Sequence, residues 1–66
     1  MSGVTAAHLL TAEQLGERWQ VPVSHVYRLT RDGKIPVVKL GRYYRYRVDA
    51  IERFELGELD RRREAA

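Results

Sequence analysis

Cysteine is absent from the 66 residues, tryptophan occurs once and proline twice, and no apolar run is long enough to span a bilayer. Without cysteine there is no disulfide framework, no thiolate zinc site and no thiol nucleophile, and the easier setting is a reducing, intracellular one. A membrane helix needs roughly 18 consecutive apolar residues, which no stretch approaches. The first eight residues, MSGVTAAH, carry neither a basic start nor an apolar core, so no secretory leader is expected and the chain is read as soluble and cytoplasmic. Catalytic signatures are missing too. His8 and His25 stand alone, and there is no H-E-x-x-H pair, no glycine-rich phosphate loop and no serine elbow. A chain this short buries only roughly 60% of its unfolded surface. Its 44% apolar residues fill one modest core and leave little to wall a substrate cleft. A binding module is expected rather than an enzyme, with no catalytic residues, metal or cofactor.

Charge is present, and it is unevenly placed. Residues 18–47 hold eight basic side chains (Arg18, Arg28, Arg31, Lys34, Lys39, Arg42, Arg45 and Arg47) against Asp32 alone, while the segments before and after are mildly acidic; the whole chain carries +3. A basic block built from consecutive elements is the electrostatic footprint of a polyanion binder. The plainer alternative is a solvated charged surface without a partner.

Periodicity divides the chain into an arm over 1–8, a folded unit over 9–57 and a charged stretch over 58–66. Thr11-Ala-Glu-Gln14 is a capping box, with Leu10 and Leu15 placed as a hydrophobic staple. The spacing predicts a first helix over about Ala12 to Trp19, its apolar stripe formed by Ala12, Leu15 and Trp19. Gly16 inside it predicts close approach by a neighbouring helix. Gln20-Val21-Pro22 interrupts the pattern, with Pro22 suited to the first position of a second helix over about Val23 to Asp32. Val26 and Leu29 face inward there, and Gly33 follows as a left-handed cap. Two helices joined by three residues make a helix-turn-helix.

After Gly33 the period becomes two. Val38 and Leu40 alternate with Lys39, Gly41-Arg42-Tyr43 supplies a turn, and Tyr44 and Tyr46 alternate with Arg45 and Arg47. This predicts a two-stranded hairpin with Val38, Leu40, Tyr44 and Tyr46 against the helices and Lys39, Arg45 and Arg47 outward. Asp49 is placed to cap a third helix in which Val48, Ile51 and Phe54 close the core. Beyond Gly57, residues 58–66 are either a helical extension or a frayed tail. Leu56 and Leu59 are left over: they serve contact with a partner protein or a second copy, or else Leu56 covers the core and Leu59 is merely exposed. The fold class expected is mainly α with a small β-hairpin, a helix-turn-helix with a two-stranded wing and a closing helix.

Residues Leu9 to Phe54, with the LLTAEQL opening, VYRL in the second helix, the DGKIP connector, VVKLGR in the first strand and tip, and RYR in the return strand, resemble the excisionase-type, MerR-like winged helix-turn-helix modules of bacteria and their phages. The resemblance implies that the second helix enters the major groove of double-stranded DNA while the wing lies along the backbone or adjacent minor groove. It also implies a role as a recombination directionality factor beside an integrase, or as a compact transcription regulator. Two departures stand out. Where such modules often have Gly in the turn and Ser or Thr at the start of the second helix, this chain has Gln20 and Pro22. A left-handed Gln20 is strained by on the order of 1 kcal/mol, and Pro22 has no hydroxyl with which to cap.

The candidate contacts on the second helix are Ser24, His25, Tyr27, Arg28 and Arg31. Arg28 and Arg31 are three apart and share a face, and arginine suits bidentate contact to guanine or phosphate. Tyr27 fits either that face or the hinge between helix and wing. The candidates in connector and wing are Lys34, Lys39, Arg42, Tyr43, Arg45 and Arg47, with Arg42 and Tyr43 at the tip. Wing arginines are attracted to the potential of a narrow minor groove. The function expected is sequence-specific binding of double-stranded DNA by an excisionase-like architectural factor, associated with the nucleoid. An integrase or further copies on DNA are its expected protein partners. The alternatives are a small transcription regulator with the same docking and, from a different class, a protein-interaction module using the acidic third helix and its leucines.

Overall fold

A computed structural model describes residues 8–65, with side chains through Arg61; apart from His8, the expected arm lies outside the described residues. The chain runs β1 (Leu9–Leu10), α1 (Ala12–Trp19), α2 (Val23–Arg31), β2 (Val38–Leu40), β3 (Tyr43–Arg47) and α3 (Val48–Ala65). No helix among the described residues is long and apolar enough to cross a membrane.

The capping box at the start of α1 is formed in both directions: Gln14 N donates to Thr11 Oγ1 at 3.1 Å and Thr11 N donates to Gln14 Oε1 at 3.0 Å. Ala12 and Leu15 are buried and Trp19 is half-buried, as their spacing requires. The neighbour that Gly16 admits is the turn as well as α2. A Cβ on Gly16 would stand 2.9 Å from the Val21 carbonyl oxygen and 3.7 Å from Val23 Cα. Gly16→Ala is therefore expected to destabilise the domain by about 1–3 kcal/mol. That exceeds the roughly 0.5–1 kcal/mol an alanine gains over glycine in a helix. A urea titration of the variant, showing a lower midpoint, checks this.

The turn has the left-handed residue that the resemblance implies. Gln20 ends α1 in the left-handed region at φ 58°, ψ 46°, its N–H bonded to Glu17 and Gly16 carbonyls, and among the described residues it is the non-glycine one with positive φ. Gln20→Gly is expected to raise stability by about 0.5–1 kcal/mol, the left-handed penalty less the added freedom of the unfolded chain. Thermal denaturation should show a higher Tm. Pro22 stands one position earlier than expected, at the N-cap of α2 with no side-chain cap, and α2 ends at Arg31 with Asp32 as its C-cap. Gly33 follows at φ 70°.

The hairpin differs from expectation in two ways. It is part of a three-stranded antiparallel sheet, order β1-β3-β2, because Leu9 and Leu10 pair with Arg47 and Tyr46. Two residues are too short a run to show an alternating pattern, so the sequence placed Leu9 and Leu10 in the folded unit without marking them as a strand. The second difference is the parity of the wing. The turn is Gly41-Arg42, with Gly41 at φ 63°, and Tyr43 already belongs to β3, so Leu40 pairs with Tyr43, Lys39 with Tyr44 and Val38 with Arg45. A two-residue loop with glycine first is a favoured hairpin turn, and one residue fewer in the loop exchanges the faces of one strand relative to the other. Val38 and Leu40 therefore share a face with Tyr43 and Arg45, and Leu40 is 50% exposed. Lys39 lies on the face of Tyr44 and Tyr46, its Nζ 5.9 Å from the Tyr44 ring centre. Val37 takes the inward place expected of Val38.

The core consists of Ala12, Leu15, Val26, Ile35, Tyr46 and Ile51, with Leu10, Trp19, Leu29, Val37, Tyr44 and Phe54 packed around it. Thr30 is buried among them. Its Oγ1 donates to the Val26 carbonyl at 2.8 Å and meets Tyr46 Oη at 2.6 Å. Since the threonine proton is committed to Val26, the tyrosine is the donor, and this bond joins α2 to the wing. Helix α3 begins at Val48, one residue before the expected cap, and Asp49 instead accepts from Ala50 N at 2.8 Å from within the first turn. The helix continues through Gly57 to Ala65.

Glu55 fastens α3 to α1. Its carboxylate accepts from Arg18 Nε and Nη2, at 2.7 and 2.9 Å, and from the Trp19 indole N–H at 2.6 Å. The Arg18 hydrogen bond holds the Glu55 carboxyl below its ordinary 4.5, against a smaller opposing effect of burial. The stability it contributes is complete above that ordinary value and is lost as pH falls through the lower folded-state one. Glu55→Gln is expected to cost about 1 kcal/mol at neutral pH, the pair being one-third exposed. The variant should also show a shallower loss of stability below about pH 4.5 in denaturant titrations.

Candidate nucleic-acid interface

Helix α2 presents its charge by its own periodicity. Val26 and Thr30 point into the core and Leu29 is half-buried, which leaves Ser24, Tyr27, Arg28 and Arg31 exposed along the opposite side. Ser24, Arg28 and Arg31 fall at spacings of four and three, so they form one stripe. His25 is not part of it. It is half-buried and lines a cleft between α2 and α3 with Trp19, Leu29, Lys34, Phe54 and Glu58. Lys34, in the connector, lines that same cleft.

Tyr27 continues the α2 surface toward the wing. A cleft of about 360 Å³ separates them, lined by Tyr27, Arg42, Tyr43, Tyr44 and Arg45, with Thr11, Ala12 and Glu13 closing it from the start of α1. Tyr27 is 43% exposed, so both positions considered for it apply: it borders the wing and it is open to a ligand. Glu13 is the one acid in this cleft and opposes an anion there.

The wing cations divide by their partners. Arg42 is exposed at the tip. Arg45 is half-buried, its guanidinium 5.6 Å from the Tyr43 ring centre and donating to the Tyr44 carbonyl at 2.8 Å. Tyr43 is 59% exposed, so the Arg45–Tyr43 pair forms an amphipathic surface beside the tip. Arg47 is exposed but bound through two nitrogens to Asp49, both at 3.1 Å. The Asp49 hydrogen bond holds the guanidinium charged and holds the carboxyl below its ordinary value. Lys39 faces the opposite side of the wing from Arg45, contrary to the expected common side.

Of the predicted contacts, the structure thus brings together Ser24, Tyr27, Arg28 and Arg31 on α2 with Arg42, Tyr43 and Arg45 on the wing. It separates His25, Lys34 and Lys39 from them. Glu13 escaped the sequence reading because its approach to the wing depends on how α1 packs against β3.

Two helices crossing through a tight turn, with the second exposing a cationic stripe beside a basic hairpin, define a helix-turn-helix DNA-binding domain. The comparison with protein families agrees. A helix-turn-helix domain family model matches residues 9–56, and the chain belongs to that family of excisionase-like DNA-binding domains. No curated protein and no solved structure matches it.

Proposed function

We propose that the protein binds double-stranded DNA with sequence preference, α2 in the major groove and the wing alongside, and acts by architecture rather than catalysis as an excisionase-like directionality factor. What carries this reading is the continuity of one surface: the Ser24–Arg28–Arg31 stripe passes through Tyr27 to Arg42 and Arg45. The major groove admits a single helix, and arginine reads guanine through two hydrogen bonds. Single modules of this size bury roughly 600–1,000 Å² of protein surface, which is modest. Useful specificity then comes from neighbouring DNA-bound proteins, an integrase or further copies.

Titration against random and genomic duplexes at two salt concentrations tests the binding. Affinity should fall steeply with salt, as counterions are released from the contacted phosphates. Equal affinity for all duplexes would remove the sequence preference. A reconstituted recombination assay tests the role. Excision that requires this protein supports it, while promoter occupancy that changes transcript levels with no recombinase present replaces it with transcription regulation.

A further inference from the structure

Helix α3 has an apolar face that the monomer leaves uncovered. Leu56 is 61% exposed and Leu59 49% exposed, while Ile51 and Phe54 take the side that meets the core. Contiguous exposed apolar side chains on a small soluble domain mark an interaction surface. By the helical period, positions 52, 56, 59 and 63 fall in one stripe, with the four-three-four spacing of a coiled-coil seam. In order they are Glu, Leu, Leu and Arg.

That order is its own complement when reversed. About a two-fold axis between residues 57 and 58, position 56 meets position 59 of a second copy and position 52 meets position 63. Leucine then packs on leucine in the two central layers, and an acid faces a base at each end. Parallel pairing would set Glu52 against Glu52 and Arg63 against Arg63. Asp49, Glu55 and Glu58 are already paired with Arg47, Arg18 and Arg61 within the monomer, so the direction of pairing is set by the stripe itself.

We propose that the outer face of α3 is the contact surface for a second copy of this chain, in a symmetric antiparallel pair centred between residues 57 and 58. Such a pair is isologous, each residue contact occurring twice. Four leucines make a small contact, so association is weak in dilute solution and strengthens when two copies occupy adjoining sites on one duplex. The proposal does not depend on which DNA is bound.

The absence of native cysteine makes the test clean. Leu56→Cys and Leu59→Cys each introduce a sole thiol at an exposed position, and circular dichroism establishes that each variant keeps its helix content. The two variants are mixed in equal amounts and mildly oxidised without DNA. The mixed 56–59 disulfide is expected to exceed both like disulfides severalfold. Statistical proportions, or no covalent dimer, would overturn the pairing. In sedimentation equilibrium, Glu52→Arg should weaken self-association roughly tenfold, because symmetry counts the lost pair twice. Glu52→Arg combined with Arg63→Glu should restore it. A double variant that associates no better than Glu52→Arg alone also overturns the proposal.

Discussion

Replacing Arg28 with alanine is expected to weaken binding to a preferred duplex by about 1–3 kcal/mol, roughly one to two orders of magnitude, and to relax base preference. Arg42→Ala should behave differently. It should weaken binding to preferred and scrambled duplexes alike and lower the slope of log affinity against log salt by about 1. The contrast comes from position. Arg28 lies in the α2 stripe with Ser24 and Arg31, where a guanidinium can meet the donor and acceptor pattern of base edges. Arg42 stands at a two-residue hairpin tip, where the accessible ligand is the phosphate backbone. Neither side chain is in the buried core, so both variants should keep the wild-type melting temperature, and an affinity change cannot be put down to unfolding. Fluorescence anisotropy with two duplexes at two salt concentrations separates the outcomes. Matching losses of specificity in both variants would show that helix and wing do not divide the work as proposed.

The ease with which this domain can be read from sequence follows from where its information is local. The capping box at Thr11, the stripe of Ala12, Leu15 and Trp19, the break at Pro22 and the left-handed glycine at 33 are each specified within eight residues or fewer, and each is present. Strained Gln20 was legible only through the resemblance, because related modules often have Gly at that turn. The hairpin was visible as a hairpin but not in its register. Whether Tyr43 belongs to the turn or to the strand changes nothing in the alternation within either strand, yet it decides whether Lys39 lies beside Arg45 or behind it.

The candidate site shows the same division. Arg28, Arg31 and Ser24 share a face because one helix's period puts them there, and that was legible. His25 was grouped with them on polarity. Its place in the cleft with Trp19 and Phe54 is set by how α3 crosses α2, a non-local relation. Thr30 is the clearest omission. A threonine in a charged helix reads as surface, and only the arrival of Tyr46 from sixteen residues away makes it a core residue with a satisfied hydroxyl. Ile35 likewise sits in a connector that looks like loop, yet it is buried because the chain must pass over the core to reach β2.

Tyr46→Ala is expected to lower the Tm by more than about 12 °C. Tyr46 is fully buried and tops the order of fully buried side chains by size. Truncating an aromatic of this kind costs about 3–5 kcal/mol. At about 0.05–0.15 kcal/mol per residue, a domain of this length has roughly 3–10 kcal/mol in all. Tyr46→Phe separates packing from hydrogen bonding. The ring remains, and Thr30 still donates to Val26, so the loss is one neutral hydrogen bond, about 1 kcal/mol, seen as a Tm lower by roughly 4–8 °C. The two variants also differ from wild type at high pH. Burial pushes the Tyr46 phenol above its ordinary 10.0. The unfolded chain ionises first, so wild-type stability is complete below pH 10 and falls as pH rises toward the folded-state value. Phenylalanine cannot ionise, and its variant should lack that component of the alkaline loss. A Tyr46→Ala protein that melts cooperatively within a few degrees of wild type would show that the contact between α2 and β3 does not hold the wing on the helices. The orientation of Arg42 and Arg45 beside Arg28 would then need another support.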